Sequence, residues 1–169
     1  MGMPRKLKNF TLFVDGTNYA GEIGELNLIK LARKVEEWRG GGMNVPIEAD
    51  LGMEKMEFEW TCGGFMRQPL EQWGITQVGG ALLRFAGAYQ RDDDGEVDAV
   101  ELVVRGRHKE IDPGKAKAGD DTEFKITSSV SYYKLSINGT VLIEIDVLNM
   151  VEMVGGVDRL AEQRRALGM

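Results

Sequence analysis

FKITSSVSYYKLSINGTVLIEIDV, residues 124–147, decides the fold. Asn138-Gly139 is the dipeptide that best suits a two-residue type I′ turn, so the stretch reads as a long β-hairpin. The turn sets a register in which Ile137 faces Thr140, Leu135 faces Leu142, Tyr132 faces Ile145 and Val130 faces Val147. One face then collects Phe124, Ile126, Val130, Tyr132, Val141, Ile143, Ile145 and Val147. The other carries Leu135, Ile137 and Leu142 near the tip, followed by Tyr133, Glu144 and Asp146. That second face is too apolar for plain solvent and too acidic for a core.

The same alternation recurs upstream. Phe10, Leu12 and Val14 lead into Asp15-Gly16 and Thr17–Gly21, a short hairpin with Tyr19 opposite Leu12. Met56, Phe58, Trp60 and Cys62 alternate with Glu57, Glu59 and Thr61, the pattern of a half-buried strand with an acidic outer face. Leu83, Phe85, Gly87 and Tyr89 run up to RDDDG, and Val97–Val104 return, a third hairpin turning at Asp94-Gly95. Residues 27–38 fit a helical face slightly better than a strand. Gly40-Gly41-Gly42 ends that element in a flexible loop, and Ile47–Leu51 forms a short strand. Pro69 starts a short helix that Gly74 stops, and 158–167 fits a second one. His108–Thr122 reads as a polar loop. The reading is one β-rich domain over residues 1–169 with two short helices and no repeat or linker.

At 169 residues the chain can bury a real core, and its 43% hydrophobic and 28% charged residues are ordinary for a soluble protein. A net charge of −6 argues against a general nucleic-acid binder. The single cysteine excludes an intrachain disulfide and fits synthesis in a reducing cytoplasm. No apolar run is long enough to span a membrane, and the basic start MGMPRKLKN lacks the apolar segment of a secretory signal.

Candidate chemistry is sparse. His108 has no nucleophile or carboxylate at catalytic spacing and is expected at a solvated or interface position. One Cys and one His cannot make a zinc site, so no metal or cofactor is expected. Asp92-Asp93-Asp94-Gly95 lacks the alternate acids and distal glutamate of a calcium loop and reads as a turn. Gly40-Gly41-Gly42 opens no helix and carries no lysine, so it is no phosphate cradle. Cys62 falls on an apolar strand face, where a core thiol is the plain reading. Nothing supports enzymatic chemistry, and a small hydrolase or ligand-binding barrel would need a convergent polar pocket that the sequence does not offer. What remains is surface: two-sided strands favour an obligate oligomer whose neighbours cover the second face.

Nearly the whole chain resembles the major tail tube protein of contractile-tailed bacteriophages, with more distant kin in R-type tailocins. The resemblance runs through MPRKL (3–7), RKVEEWRGGGM (33–43), LRFAGAYQRDDDGE (83–96), VVRGRHKEIDPG (103–114), EIDVLNM (144–150) and GVDRL (156–160). It implies a mainly β, sandwich or barrel-like domain with one or two short helices. Hexameric rings of it stack into a hollow tube whose inner wall is a β-barrel built by every subunit. It also implies strand in place of helix over 27–38. The implied partners are further copies of itself, the tail sheath, the baseplate and the tape-measure protein, with phage DNA passing through unbound. The implied location is the virion, after synthesis in the host cytoplasm.

On that reading Glu57, Glu59, Glu144 and Asp146 include candidate lumen-facing acids that repel DNA phosphates over roughly 8–10 Å at physiological salt, with a solvated outer face under the sheath as the equal alternative. Arg39, Gly40, Gly41, Gly42 and Met43 are candidates for ring–ring contacts, with the 112–121 loop carrying Asp112, Lys115, Lys117 and Asp120. Leu135, Ile137 and Leu142 are candidate neighbour contacts. A type VI secretion or tailocin-like injector tube is the rival within the same architecture.

Overall fold

The computed structural model describes all 169 residues. In chain order the elements are β1 (Lys6–Val14), β2 (Thr17–Asn18), β3 (Ile23–Asn27), β4 (Arg33–Trp38), β5 (Ile47–Met53), β6 (Met56–Cys62) and α1 (Arg67–Glu71). There follow β7 (Ala81–Gln90), β8 (Val97–Asp112), β9 (Phe124–Ile137), β10 (Thr140–Asp146), β11 (Val151–Val154), β12 (Val157–Asp158) and α2 (Ala161–Ala166).

The frame is the antiparallel ribbon of the two longest strands, β8 and β9. On one flank of β9, β6 pairs with residues 124–130 and β10 with residues 132–137. The ribbon therefore belongs to two sheet sections, β3-β6-β9-β8 and β12-β11-β10-β9-β8-β7-β1-β2. Their inward side chains meet in one core, giving a mainly β, sandwich-like subunit that closes no barrel of its own. In the larger section the inward rows are Leu12–Phe85–Leu102–Leu135–Ile143 and Val14–Leu83–Val104–Tyr133–Ile145. In the smaller section Met56, Phe58, Trp60 and Cys62 alternate inward as their spacing requires.

Two bulges correct the expected hairpin. The Asn138-Gly139 turn stands, with both residues at positive φ and Ile137 opposite Thr140. Leu142 is then an extra residue on β10, so Leu135 pairs with Ile143, Tyr133 with Ile145 and Tyr132 with Asp146. Ser131 is an extra residue on β9, where Arg105 faces Tyr132 and Gly106 faces Val130. Each bulge flips the alternation by one residue. Tyr133 rather than Tyr132 is therefore a core residue, Leu135 packs on the core, and Val141 and Val147 are exposed.

Three further expectations change. The 27–38 segment is strand over Arg33–Trp38, as the family resemblance implied and the helical spacing did not. His108 is not in a loop or solvated: β8 continues to Asp112, and the ring is buried 6% exposed in the core. Finally, 157–158 pair as β12, so the last helix covers only Ala161–Ala166.

Candidate assembly surfaces

His108 and Cys62, the residues with the widest chemical range, are both engaged in the interior. The imidazole Nε2 donates to Gln72 Oε1 (2.7 Å), and Nδ1 accepts from the Ser128 hydroxyl (2.8 Å). Gln72 passes the chain on to the Asp15 carboxylate at the β1–β2 turn. Burial pushes the His108 pKa below its ordinary value and raises the Cys62 thiol to about 12. His108 is thus a strut between β8, β9 and the α1 segment, and Cys62 is an inert core thiol. No group of three or more His, Cys, Asp or Glu side chains is placed to hold a metal ion.

The outward rows of the larger section form the first surface. Phe13–Arg84–Val103–Lys134–Glu144–Met153 lies beside Thr11–Ala86–Glu101–Ser136–Val141 and Leu82–Arg105–Tyr132–Asp146–Val151. Arg84 bridges Glu101 (3.1 Å) and stacks over Phe13; Glu144 lies opposite Lys134 and accepts from the Tyr132 hydroxyl (3.2 Å). Glu144 and Asp146, expected to share a face, do so. Their neighbours Arg84, Arg105 and Lys134 match Glu101, Glu144 and Asp146 in number, three cations to three anions. Leu142 is exposed beside them at its bulge, and Ile137 follows the inward rows toward the rim.

Glu57 and Glu59 lie on the outward face of the smaller section, apart from that set. Glu57 takes Lys109 and, more weakly, Lys55 (3.1 Å), which hold its carboxyl below the usual range, and Glu59 takes Lys125 (2.5 Å). The Asp112–Asp121 segment begins at the end of β8 and is exposed. Asp112 caps Gly114 N–H (2.9 Å), and Lys117 pairs with Asp120 at 3.7 Å; Lys115 is free in solvent.

The β4–β5 hairpin pairs with no other strand and stands off the body as an arm. Trp38 faces Ile47, and the Glu36–Ala49 pair and Leu51 follow on the same side; Glu37–Glu48 and Val35–Asp50 occupy the other. Trp38 is 63% exposed and Ile47 and Leu51 54% each, so the apolar side has nothing beneath it. The Arg39–Met43 tip is an ordered turn, closed by Met43 N–H to Gly40 O (3.2 Å) and Arg39 Nε to Met43 O (3.1 Å), with Gly42 at positive φ. Spacing alone did not reveal the arm, because a strand with no core under either face shows no period.

A subunit whose histidine and cysteine serve its interior, and whose sheet face, arm and loops look outward, is a building block. Chains in solved structures of contractile injection machines share this fold. The sheath/tube terminator of an extracellular contractile injection system matches with TM-score 0.58 at 12% identity, over 76% of this chain and 93% of that one. The cap of the anti-feeding prophage matches with TM-score 0.57 at 13% identity, over 75% and 87%.

The chain belongs to the phage tail tube protein FII family, whose pattern matches residues 4–168. It is 48% identical to the tail tube protein of Escherichia phage P2 over the full length of both, and 39% identical to the major tail tube protein of Serratia phage KSP20 over 89% of this chain and 88% of that one. It is a structural virion component of contractile tails, in a family that is not one of enzymes.

Proposed function

We propose that six copies of this chain close into a ring and that rings stack head to tail as the inner tube of a contractile tail, through which phage DNA is delivered. The β4–β5 arm carries the reading. A chain folded to remain solitary gains nothing from a Trp38, Ile47 and Leu51 surface held in water, whereas a neighbouring copy that covers it removes that apolar area from solvent. The arm tip Arg39–Met43 and the 112–121 loop supply the ring–ring contacts, and Leu142 and Ile137 with Leu135 beneath them meet the neighbour within a ring. Sheath, baseplate and tape-measure proteins are the partners outside and inside the tube. Full-length 48% identity to a phage protein supports a phage tail over a type VI or tailocin-like injector, since the injection-system structures share the fold at only 12–13% identity.

Glu144 and Asp146 face the bore. The lining there is self-neutralising rather than purely acidic, because Arg84, Arg105 and Lys134 each have an acid in the same or the next row. DNA presents about one negative charge per 1.7 Å, and a face whose cations are matched by nearby carboxylates, Arg84 in a direct ion pair with Glu101, offers a phosphate little net attraction. Glu57 and Glu59, lysine-paired on a separate face, belong to the outer surface under the sheath. Negative-stain microscopy of the purified chain tests the assembly: six-fold rings or tubes are expected, and a stable monomer that forms neither at any concentration refutes it.

A further inference from the structure

Glu152 sits where a carboxylate is costly. It continues the inward row Leu83–Val104–Tyr133–Ile145, at the point where the core meets the root of the arm. It is 9% exposed, and an inward charge at this depth needs a partner. Arg33, the first residue of β4, supplies it: Nη1 lies 3.0 and 3.2 Å from the two Glu152 oxygens, and Nε lies 3.0 Å from Asp50 on β5. One guanidinium thus ties both strands of the arm to the body. Among residues 33–53 it makes the one side-chain hydrogen bond or ion pair that leaves the arm.

Around this tie the contact is thin. A groove of about 920 Å³ opens on one side, between Leu51, Met53, Val130 and Leu160, and a smaller one of about 210 Å³ on the other, against Leu31 and Val154. Arg33 and Glu152 line both. Gly52, at φ +111 in the bulged root of β5, gives the backbone a bend there. With room on both sides and a bend at the base, packing alone does not fix the angle of the arm.

We propose that the Arg33–Glu152 pair is the latch that sets this angle, and that Arg33 is a positioning residue for tube assembly; the proposal rests on the arm-mediated stacking described above. A freed arm still has its apolar face, but it holds the stacking pose for only part of the time. If that fraction falls to about a tenth, the concentration needed for tube growth rises about tenfold.

The test compares the parent, Arg33→Lys, Arg33→Ala and the double variant Arg33→Met with Glu152→Met. The double variant removes the tie without leaving a bare buried charge, and so it decides the matter if Arg33→Ala fails to fold. Arm angle is read as the spin-label distance distribution between Asn44→Cys and Leu148→Cys on the unassembled chain, Cys62 being buried. Tube growth is read by sedimentation and microscopy on unlabelled chains. The expected result is a narrow distribution in the parent and Arg33→Lys, and one at least twice as broad in the double variant. The growth threshold of the folded double variant should rise about tenfold, with Arg33→Lys within about threefold of the parent. A double variant with the parent's distribution, or one that grows tubes at the parent's concentration, overturns the proposal. A parent that never forms rings or tubes while the distances still broaden overturns the assembly reading and leaves the latch standing.

Discussion

Replacing Gly106 with alanine tests whether the crease in the β8–β9 ribbon depends on a residue without a side chain. Gly106 lies beside the Ser131 bulge, where one ribbon passes from the smaller sheet section to the larger. A Cβ there would lie 1.9 Å from Ser129 O, 2.9 Å from Ser129 C and 3.2 Å from Val130 Cα. All three are backbone atoms of the paired strand, so no rotamer change relieves the clash. The strands must separate by more than an ångström where neighbours normally lie about 4.8 Å apart. Overpacking of this kind costs roughly 1–3 kcal/mol, and about 1 kcal/mol more goes with a weakened cross-strand hydrogen bond. A total of about 2–4 kcal/mol corresponds to a fall in Tm of roughly 4–16 °C for a chain of this size. Thermal unfolding of the unassembled chain, followed by circular dichroism, reads it directly. Gly24→Ala is the control, since it has open space around the new Cβ and an ordinary φ. If Gly106→Ala melts within about 2 °C of Gly24→Ala, the close approach of the two strands is not what the structure says it is.

Acid should weaken the fold through His108. Its folded pKa lies below the ordinary 6.5 because the ring is desolvated, with Asp15 opposing the shift. The unfolded chain therefore takes up the proton first, so the contribution of His108 is fully present above about 6.5 and is lost as pH falls below it. Asp93, held down to about 2 by Arg91, loses its contribution only in much stronger acid. The denaturation midpoint should thus drop between pH 7 and 5 in the parent and stay flatter in His108→Gln; equal slopes in the two would remove His108 as the cause. On the sheet face proposed to line the bore, Glu144→Lys with Asp146→Lys changes each subunit by four charges and leaves Arg84, Arg105, Lys134 and the two new lysines against Glu101 across β7–β10. Assembled particles should then retain DNA and deliver it more slowly, most of all at low salt; parent-like delivery at every salt concentration would place these two residues outside the DNA path.

What the sequence disclosed and what it hid follow from the range of each signal. Asn138-Gly139 is a local signal, because a type I′ turn needs positive φ at both residues whatever the rest of the chain does. The alternation of Met56 to Cys62 is also local, since β6 runs without a bulge. The face assignments beyond the turn were not local. A bulge is a property of two strands, and neither the Ser131 nor the Leu142 insertion leaves a mark on its own strand. Tyr132 and Tyr133 are adjacent and alike, so the pattern cannot say which of them faces in. His108 failed for a different reason. Arg105, Arg107 and Lys109 alternate with Gly106 and His108 as a strand should, but the inward positions hold a glycine and a histidine, and the eye sees only a charged run. Glu152 was missed in the same way, because the partner that makes it tolerable lies 119 residues away.

The fold distributes the net charge of −6 unevenly. Across β7–β10 the outward face of the larger section holds three cations, Arg84, Arg105 and Lys134, and three anions, Glu101, Glu144 and Asp146, so the surplus lies elsewhere. Residues 33–54 alone carry five acids (Glu36, Glu37, Glu48, Asp50, Glu54) against three bases (Arg33, Lys34, Arg39), a balance of −2. Much of that charge lies on the side of the arm opposite Trp38 and Ile47. The side carrying Glu37, Glu48 and Asp50 is the costlier one to bury against a neighbour, since taking carboxylates out of water costs far more than exposing them, whereas the Trp38 side carries Glu36 as its single acid. In the proposed assembly the acidity of the arm is thus an orientation signal: it favours turning the Trp38 side inward when copies meet, while charge balance within the sheet keeps the proposed bore from holding DNA.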